Sequence, residues 1–220
     1  MKLVVVNGGP RRNMNTMTLL QKAMEGARSK GATIEQIHLY QHDFNGCKSC
    51  FSCKIAGTGA DRICVIKDEA KPLLEQCLSA DALLFGSPIY YDNITGVMRA
   101  FLERLWYPID SNKFDENRQG IRYITRTIPV GFIFSMNCPE DWRERLYGHM
   151  FGSIKNRMED FLGPYEAVYS CDTYQFNDYS KYDVNMFSEA AKAKHRDAQF
   201  PIDLENAYQL GVKLATFGKE

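Results

Sequence analysis

Lys2-Leu3-Val4-Val5-Val6-Asn7-Gly8-Gly9-Pro10-Arg11-Arg12-Asn13-Met14-Asn15-Thr16 passes from an apolar run of strand length, through a paired-glycine turn, into a segment with helical spacing. Beyond Thr16, Leu19, Leu20, Ala23, Met24 and Ala27 recur on one helical face, and Gly31 is a natural stop. Two adjacent glycines let the backbone turn tightly and bring several N–H groups toward one point, and the helix start adds partial positive charge. That arrangement suits a phosphate. Gly9 and Pro10 shape the turn, Arg11 or Arg12 can add charge-assisted bonds, and Asn13, Asn15 and Thr16 supply short donors at the helix entrance. An arginine beside the loop fits a phosphomonoester better than a bridging pyrophosphate. Three spaced glycines of the dinucleotide type are absent, as is a Gly-Lys-Ser/Thr phosphate loop. Taken alone, the same turn also reads as a helix cap.

Working outward, strand-like runs follow at 33–39, 82–86, 129–135 and 166–171, and helical patterns fall between them near 68–79, 94–107 and 140–161. Such alternation predicts right-handed crossovers and a mostly parallel five-stranded sheet covered on both faces, a doubly wound α/β fold. We read residues 1–220 as one domain, with a core over 1–172 and an extension over 173–220. The extension carries Tyr174, Phe176, Tyr179, Tyr182 and Phe187, too many aromatics for a disordered linker. It reads as an ordered aromatic loop followed by helices over Ser188 to Ala198 and Asp203 to Phe217, with Pro201 between them. An aromatic stretch of this kind is expected to pack in a subunit interface, with one or more of its tyrosines near a neighbour's ligand crevice.

The third strand ends in Gly86-Ser87-Pro88-Ile89-Tyr90-Tyr91-Asp92-Asn93, and then Ile94-Thr95-Gly96 leads into a helix. In a doubly wound sheet the first and third strands flank the point where the strand order reverses, and ligands bind there beyond the strands' carboxyl ends. Both loops therefore meet one crevice. Pro88, Ile89, Tyr90 and Tyr91 suit a flat ring system, and Asp92 and Asn93 its polar edge, although single tyrosines also serve as ordinary rim aromatics. A third loop after the fourth strand offers Ser135 and Asn137 as contacts, or Asn137 as a helix cap ahead of Pro139.

Charge narrows the partners. With 27 basic and 27 acidic residues the net charge is zero, so no basic field favours nucleic acid. No apolar run has the roughly 18 to 20 residues of a membrane-spanning helix, and the apolar stretch after Met1 is too short for a secretory signal. Seven cysteines without such a signal point to the reducing cytoplasm, and a small-molecule redox substrate is the expected partner. Four of them form Cys47-x-x-Cys50-x-x-Cys53, then Cys64 after ten intervening residues. That spacing is compatible with a four-iron, four-sulfur (4Fe-4S) cluster, with zinc, or with free thiols. Cys77, Cys138 and Cys171 read as small buried hydrophobes. His38, His42, His149 and His195 pair with no nucleophile or metal ligand at a telling spacing and read as structural or surface residues.

Taken together, the phosphate loop ending in Asn15-Thr16, the Cys47-Lys48-Ser49-Cys50-Phe51-Ser52-Cys53 segment, Cys64-Val65-Ile66-Lys67-Asp68, Ala80-Asp81-Ala82 and the Ser87-Pro88-Ile89-Tyr90-Tyr91 loop resemble the NAD(P)H-dependent FMN reductases. The resemblance is strongest over residues 1–107 and lies closest to the multimeric flavodoxin and iron-sulfur flavoprotein branch. It implies a flavodoxin-like fold, FMN as cofactor, a homodimer or homotetramer, and electron transfer from NAD(P)H to a quinone, flavin or other acceptor. Gly9 stands where such loops usually carry Ser, and Met14 replaces a small residue. Hydride chemistry of this kind needs no protein acid, because the cofactor carries the reaction. The alternatives are a non-catalytic FMN electron carrier, with or without a cysteine-bound cluster, and a ligand-binding module without redox function.

Overall fold

A computed structural model describes residues 1–56, 63–117 and 120–218. The strands are β1 (Lys2–Asn7), β2 (Thr33–His38), β3 (Ala82–Tyr90), β4 (Asn93–Ile94), β5 (Asp110–Phe114), β6 (Gly120–Arg122), β7 (Val130–Ser135) and β8 (Tyr165–Ser170). The main helices are α1 (Asn15–Ser29), α2 (Ala70–Ser79), α3 (Gly96–Ile109), α4 (Glu140–Phe161) and α5 (Glu189–Thr216). Five parallel strands run in the order β2-β1-β3-β7-β8, and β4 folds back antiparallel on the end of β3. The flavodoxin-like doubly wound sheet expected from the sequence is the fold observed.

The near-continuous apolar runs in the strands follow from cover on both faces. Leu3 and Val5 of β1, Ala82 and Leu84 of β3, and Ile133 of β7 pack toward α1 and α5. Val4, Val6, Leu83, Phe85, Phe132 and Phe134 alternate with them and form the core under α2, α3 and α4. Phe132 and Phe134 stack at 4.1 Å, with Phe151 of α4 at 4.7 Å from Phe134. Side chains of this size stabilise the fold by roughly 1.5–3 kcal/mol each when fully buried.

Two elements differ from expectation. The C-terminal segment is a single helix of 28 residues with Pro201 inside it, where two helices were expected. Pro201 is exposed, so the carbonyl left without its N–H partner can be hydrated, and burial of Phe200, Ala207, Leu210 and Leu214 carries the helix through. The polar sequence between α3 and β7 also forms a small antiparallel pair, β5 with β6, which no hydrophobic periodicity announces.

Candidate functional site

Loops after β1, β3, β7 and β8 meet at the carboxyl edge of the sheet around one crevice. The first loop is set by Asn7, whose buried Oδ1 accepts from Gly9 N at 2.8 Å while its Nδ2 lies 3.2 Å from His38 Nδ1. Burial first, and then the charge of Arg12, lower the pKa of His38. Gly8 has no room for a side chain: a Cβ would lie 2.9 Å from Met98 Cβ. The nearest atom to a Cβ on Gly9 is Asn7 Oδ1 at 3.1 Å and the next are at 3.6 Å, so Gly8 is the glycine that close packing demands. Thr95 ties this loop to the second one, donating from Oγ1 to Gly8 O at 2.7 Å and from its backbone N to Ser87 Oγ at 3.1 Å.

The crevice is lined by Gly9, Pro10, Arg11, Asn15 and Thr16 from the first loop, Pro88, Ile89 and Tyr90 from the second, and Ser135 and Asn137 from the third. Thr16 Oγ1 and Ser135 Oγ are 2.6 Å apart, which locks the start of α1 to the end of β7. Arg12 and Asn13 face a neighbouring pocket. Tyr91 and Asp92 form the two-residue tip of the β3–β4 hairpin, both with positive φ (45° and 65°), and Tyr91 is fully exposed there. Positive φ at both positions suits the right-handed twist of a hairpin. Asn93 turns its Oδ1 to Ile94 N at 2.9 Å, so these three residues lie at the rim and not in the wall.

A fourth wall comes from residues 173–175, at the start of the stretch that the sequence predicts in a subunit interface near a neighbour's crevice; here they line the crevice of their own chain. Asn15 Nδ2 donates to Tyr174 O at 2.7 Å, Arg11 to Gln175 O at 2.6 Å, and Arg196 of α5 to Asn15 Oδ1 at 3.0 Å. Behind them the buried Lys192 ammonium bonds Asp172 Oδ1 at 2.6 Å and Asn137 O at 2.9 Å, joining the third and fourth loops. Nothing in the local sequence marks Lys192. Lys192 shares the buried face of α5 with Phe200, Asp203, Ala207, Leu210 and Leu214.

The residues present fit a phosphorylated, flat cofactor. The first turn of α1 has no acidic residue, so its N–H groups and dipole favour an anion. Asn137 Oδ1 is buried in the crevice wall and has no hydrogen-bond partner among the described residues, an acceptor left for a ligand hydroxyl.

The cysteine segment lies elsewhere on the sheet's carboxyl side. Cys47, Cys50, Cys53 and Cys64 all line one small pocket together with Phe51, Arg104 and Tyr107. Both stems of the loop are clasped by the fully buried Arg104 side chain, which donates to Asn45 O at 3.0 Å, to Ile66 O at 3.4 Å and to both carboxylate oxygens of Asp68 at 2.6 and 2.8 Å. Lys54 of the loop donates to Tyr107 O and Asp110 O at the end of α3. Hydrogen bonds from Ser52 lower the pKa of Cys50, whereas burial raises that of Cys53. Among the described residues Arg104 Nε is buried with no hydrogen-bond partner, and Arg104 lines the pocket together with the four thiols, as suits a donor to sulfur. The donor set therefore matches a thiolate-held group in its chemistry, although among the described residues no three such side chains are placed to grip a metal ion together. Residues 57–62, between Cys53 and Cys64, lie outside the described residues.

A parallel sheet with a phosphate-type loop and an aromatic loop meeting at its switch point defines the flavodoxin-like class. Residues 1–120 match the model of the NADPH-dependent FMN reductase family, and the chain belongs to that family. It is similar to an iron-sulfur flavoprotein of Archaeoglobus fulgidus, 35% identical over 104 residues that make up 47% of this chain and 48% of the relative. The chain thus matches about half the length of such curated relatives. Among solved structures, an NAD(P)H:quinone oxidoreductase from Methanothermobacter marburgensis superposes with TM-score 0.68 at 18% identity, covering 97% of this chain and 98% of the other. The azoreductase AzrA does so with TM-score 0.69 at 14% identity, covering 97% of this chain and 100% of the other, and both likenesses support the fold.

Proposed function

We propose that this protein is an FMN-dependent oxidoreductase that takes electrons from NAD(P)H and passes them to a quinone, flavin or other acceptor. The observation that carries the reading is the four-loop crevice, in which an anion-favouring helix start, Tyr90 and the unpartnered Asn137 Oδ1 share one wall system. The description of the family to which the chain belongs supports the same reading.

In this reading the N–H groups at the start of α1, with Arg11, Asn15 and Thr16, hold the FMN phosphate. Asn137 and Ser135 meet the ribityl and ring edge, and Pro88 to Tyr90 back the isoalloxazine. FMN, when bound, supplies the two-electron chemistry, and the protein supplies position and exclusion of water. Residues 1–172 and the extension act as one domain, because α5 braces the crevice through Lys192 and Arg196 and adds Phe200, Ala207, Leu210, Leu214 and Ala215 to one core face. A homodimer or homotetramer accords with the exposed Tyr182, Val184 and Met186 ahead of α5. A cytoplasmic location accords with seven free thiols, and none of the described helices is long and apolar enough to cross a membrane. Stopped-flow mixing with NADH and with NADPH tests the reading: prompt bleaching of the flavin is expected, and no bleaching with either refutes it.

A second reading, a carrier that exchanges electrons with protein partners through a cysteine-held 4Fe-4S cluster as well as FMN, is favoured by the shared pocket of the four cysteines. The names of the iron-sulfur flavoproteins to which the chain is similar point the same way. Such a cluster would pass single electrons. Iron and sulfide analysis of anaerobically purified protein beside Cys50→Ser decides whether it is there.

A further inference from the structure

Cys138 and Cys171, far apart in the chain and read from sequence as core filler, are brought together by the sheet. β7 and β8 run in parallel as far as the pairing of Ser135 with Ser170, and contacts between the two chains continue beyond it. Met136 N donates to Ser170 O at 2.9 Å, and Asp172 N donates to Cys138 O at 2.7 Å. Neighbouring strands lie about 4.8 Å apart, and a disulfide bridges Cα atoms roughly 4.4–6.8 Å apart, so the two cysteines stand at bridging distance. Both side chains belong to the core cluster under α4, at 5% and 4% exposure, and both are free thiols.

Two features set the pair apart from filler. The first is access: Cys171 lines a cavity of about 410 Å³ beside β8, together with Glu140, Arg143 and His195, whereas Cys138 is not in its wall. His195 Nε2 is buried there without a hydrogen-bond partner among the described residues, an open polar atom for an incoming molecule. Burial first, and then a hydrogen bond to the Glu140 carboxylate, raise the pKa of the Cys171 thiol, and the nearby Cys138 sulfur adds to the rise. Burial raises the pKa of Cys138 as well, against a hydrogen bond from Tyr147. Both groups are therefore protonated at neutral pH, and Glu140 is placed to take the proton of Cys171 when a reagent is held against its sulfur. The second feature is position. The residues beside the two cysteines, Asn137 and Asp172, are the ones that Lys192 clasps behind the crevice.

We propose that Cys171 and Cys138 form a second redox site, a dithiol that reduces a small disulfide entering this cavity and closes into a bond between the third and fourth loops. Cys171 Sγ attacks one sulfur of the small disulfide while its proton passes to Glu140. The ligand's S–S bond breaks, a mixed disulfide forms on Cys171, and the departing thiolate takes up the proton. Cys138 Sγ then attacks Cys171 Sγ, and its own proton leaves with the second small thiol. Two protein thiols lose two electrons, and one small disulfide is reduced to two thiols. Neither the flavin nor the four clustered cysteines takes part. The bond formed ties Asn137 of the crevice wall to the loop that begins at Asp172.

The test is incubation of the folded, full-length protein with 2-hydroxyethyl disulfide, followed by proteolysis without reductant and mass spectrometry. A peptide pair linked through Cys138 and Cys171 is expected, and dithiothreitol should undo it. In Cys138→Ala the reaction should stop after the first step, with one hydroxyethylthio adduct on Cys171. In Cys171→Ala, Cys138 should stay unmodified, because it has no place in the cavity wall. Closing a loop of about 30 residues should raise the Tm of wild type by roughly 5–15 °C over its reduced form, and Cys138→Ala treated alike should show no rise. Circular dichroism reports whether each variant folds, and the wild-type crosslink is read without either of them. Three results overturn the proposal: Cys138 and Cys171 both unmodified in folded wild type when the exposed Cys50 has reacted, a linked pair that appears only in denaturant, or an adduct on Cys138 in folded Cys171→Ala.

Discussion

Asp68→Asn isolates the clasp that holds the cysteine loop. The substitution keeps the shape of the side chain and removes its charge. Arg104, with a side chain of 0% exposure, then loses the partner that accepts at 2.6 and 2.8 Å. Removing one member of a buried ion pair costs about 3–5 kcal/mol, because the other charge stays buried. Asn45 O and Ile66 O still accept from the guanidinium, and Asp68 keeps 22% exposure, so the expected loss is at the lower end, about 3 kcal/mol. For a chain of 220 residues that corresponds to a fall of roughly 6–12 °C in Tm. Arg104 holds the Asp68 carboxyl below the usual carboxylate range, so the pair's contribution is complete above the unfolded-state pKa of about 3.9 and fades as pH falls through the lower folded value. Urea unfolding of wild type and variant should therefore differ by about 3 kcal/mol at neutral pH and converge in acid, below about pH 4. A difference under about 1 kcal/mol at neutral pH, or one that does not shrink in acid, refutes the assignment of Asp68 as the partner that neutralises Arg104.

Arg11→Ala should weaken FMN by about 1.5–3 kcal/mol and leave riboflavin nearly unchanged, because riboflavin lacks the phosphate; equal weakening of both, by fluorescence titration, counts against the phosphate role. Gly211→Ala should destabilise by about 3 kcal/mol or more in denaturant unfolding, because its Cβ would sit 1.8 Å from Ala23 O where α1 and α5 cross. In cluster-free protein, iodoacetamide should modify Cys50 at lower pH than Cys53, and Cys77 only on unfolding; mass-spectrometric footprinting that finds Cys77 first would contradict the burial pattern. Light scattering should show at least a dimer if the loop bearing Tyr182, Val184 and Met186 is an interface, and a monomer of undiminished FMN turnover after deletion of 173–220 would refute both the interface and the role of α5.

The strand order and the crevice were legible in the chain because both depend on local chemistry. Apolar runs of strand length separated by helical spacing admit few topologies, and Gly8-Gly9 leading into α1 and Ser87-Pro88-Ile89-Tyr90 leading toward α3 mark their own turns. Burial on both sheet faces made the strands readable even where alternation was missing. What the chain could not announce are contacts between residues far apart in sequence. Lys192 reaches Asn137 O and Asp172 only because α5 packs against α1 under the carboxyl edge, and Arg104 finds Asn45, Ile66 and Asp68 only because α3 runs beneath the cysteine loop. The single helix through Pro201 was likewise decided by packing, since the buried Phe200, Leu210 and Leu214 outweigh one lost hydrogen bond on an exposed face. Turn chemistry and hydrophobic period are properties of neighbouring residues. The partners of a buried charge are chosen by the fold, because only the folded chain removes the water that would otherwise satisfy them.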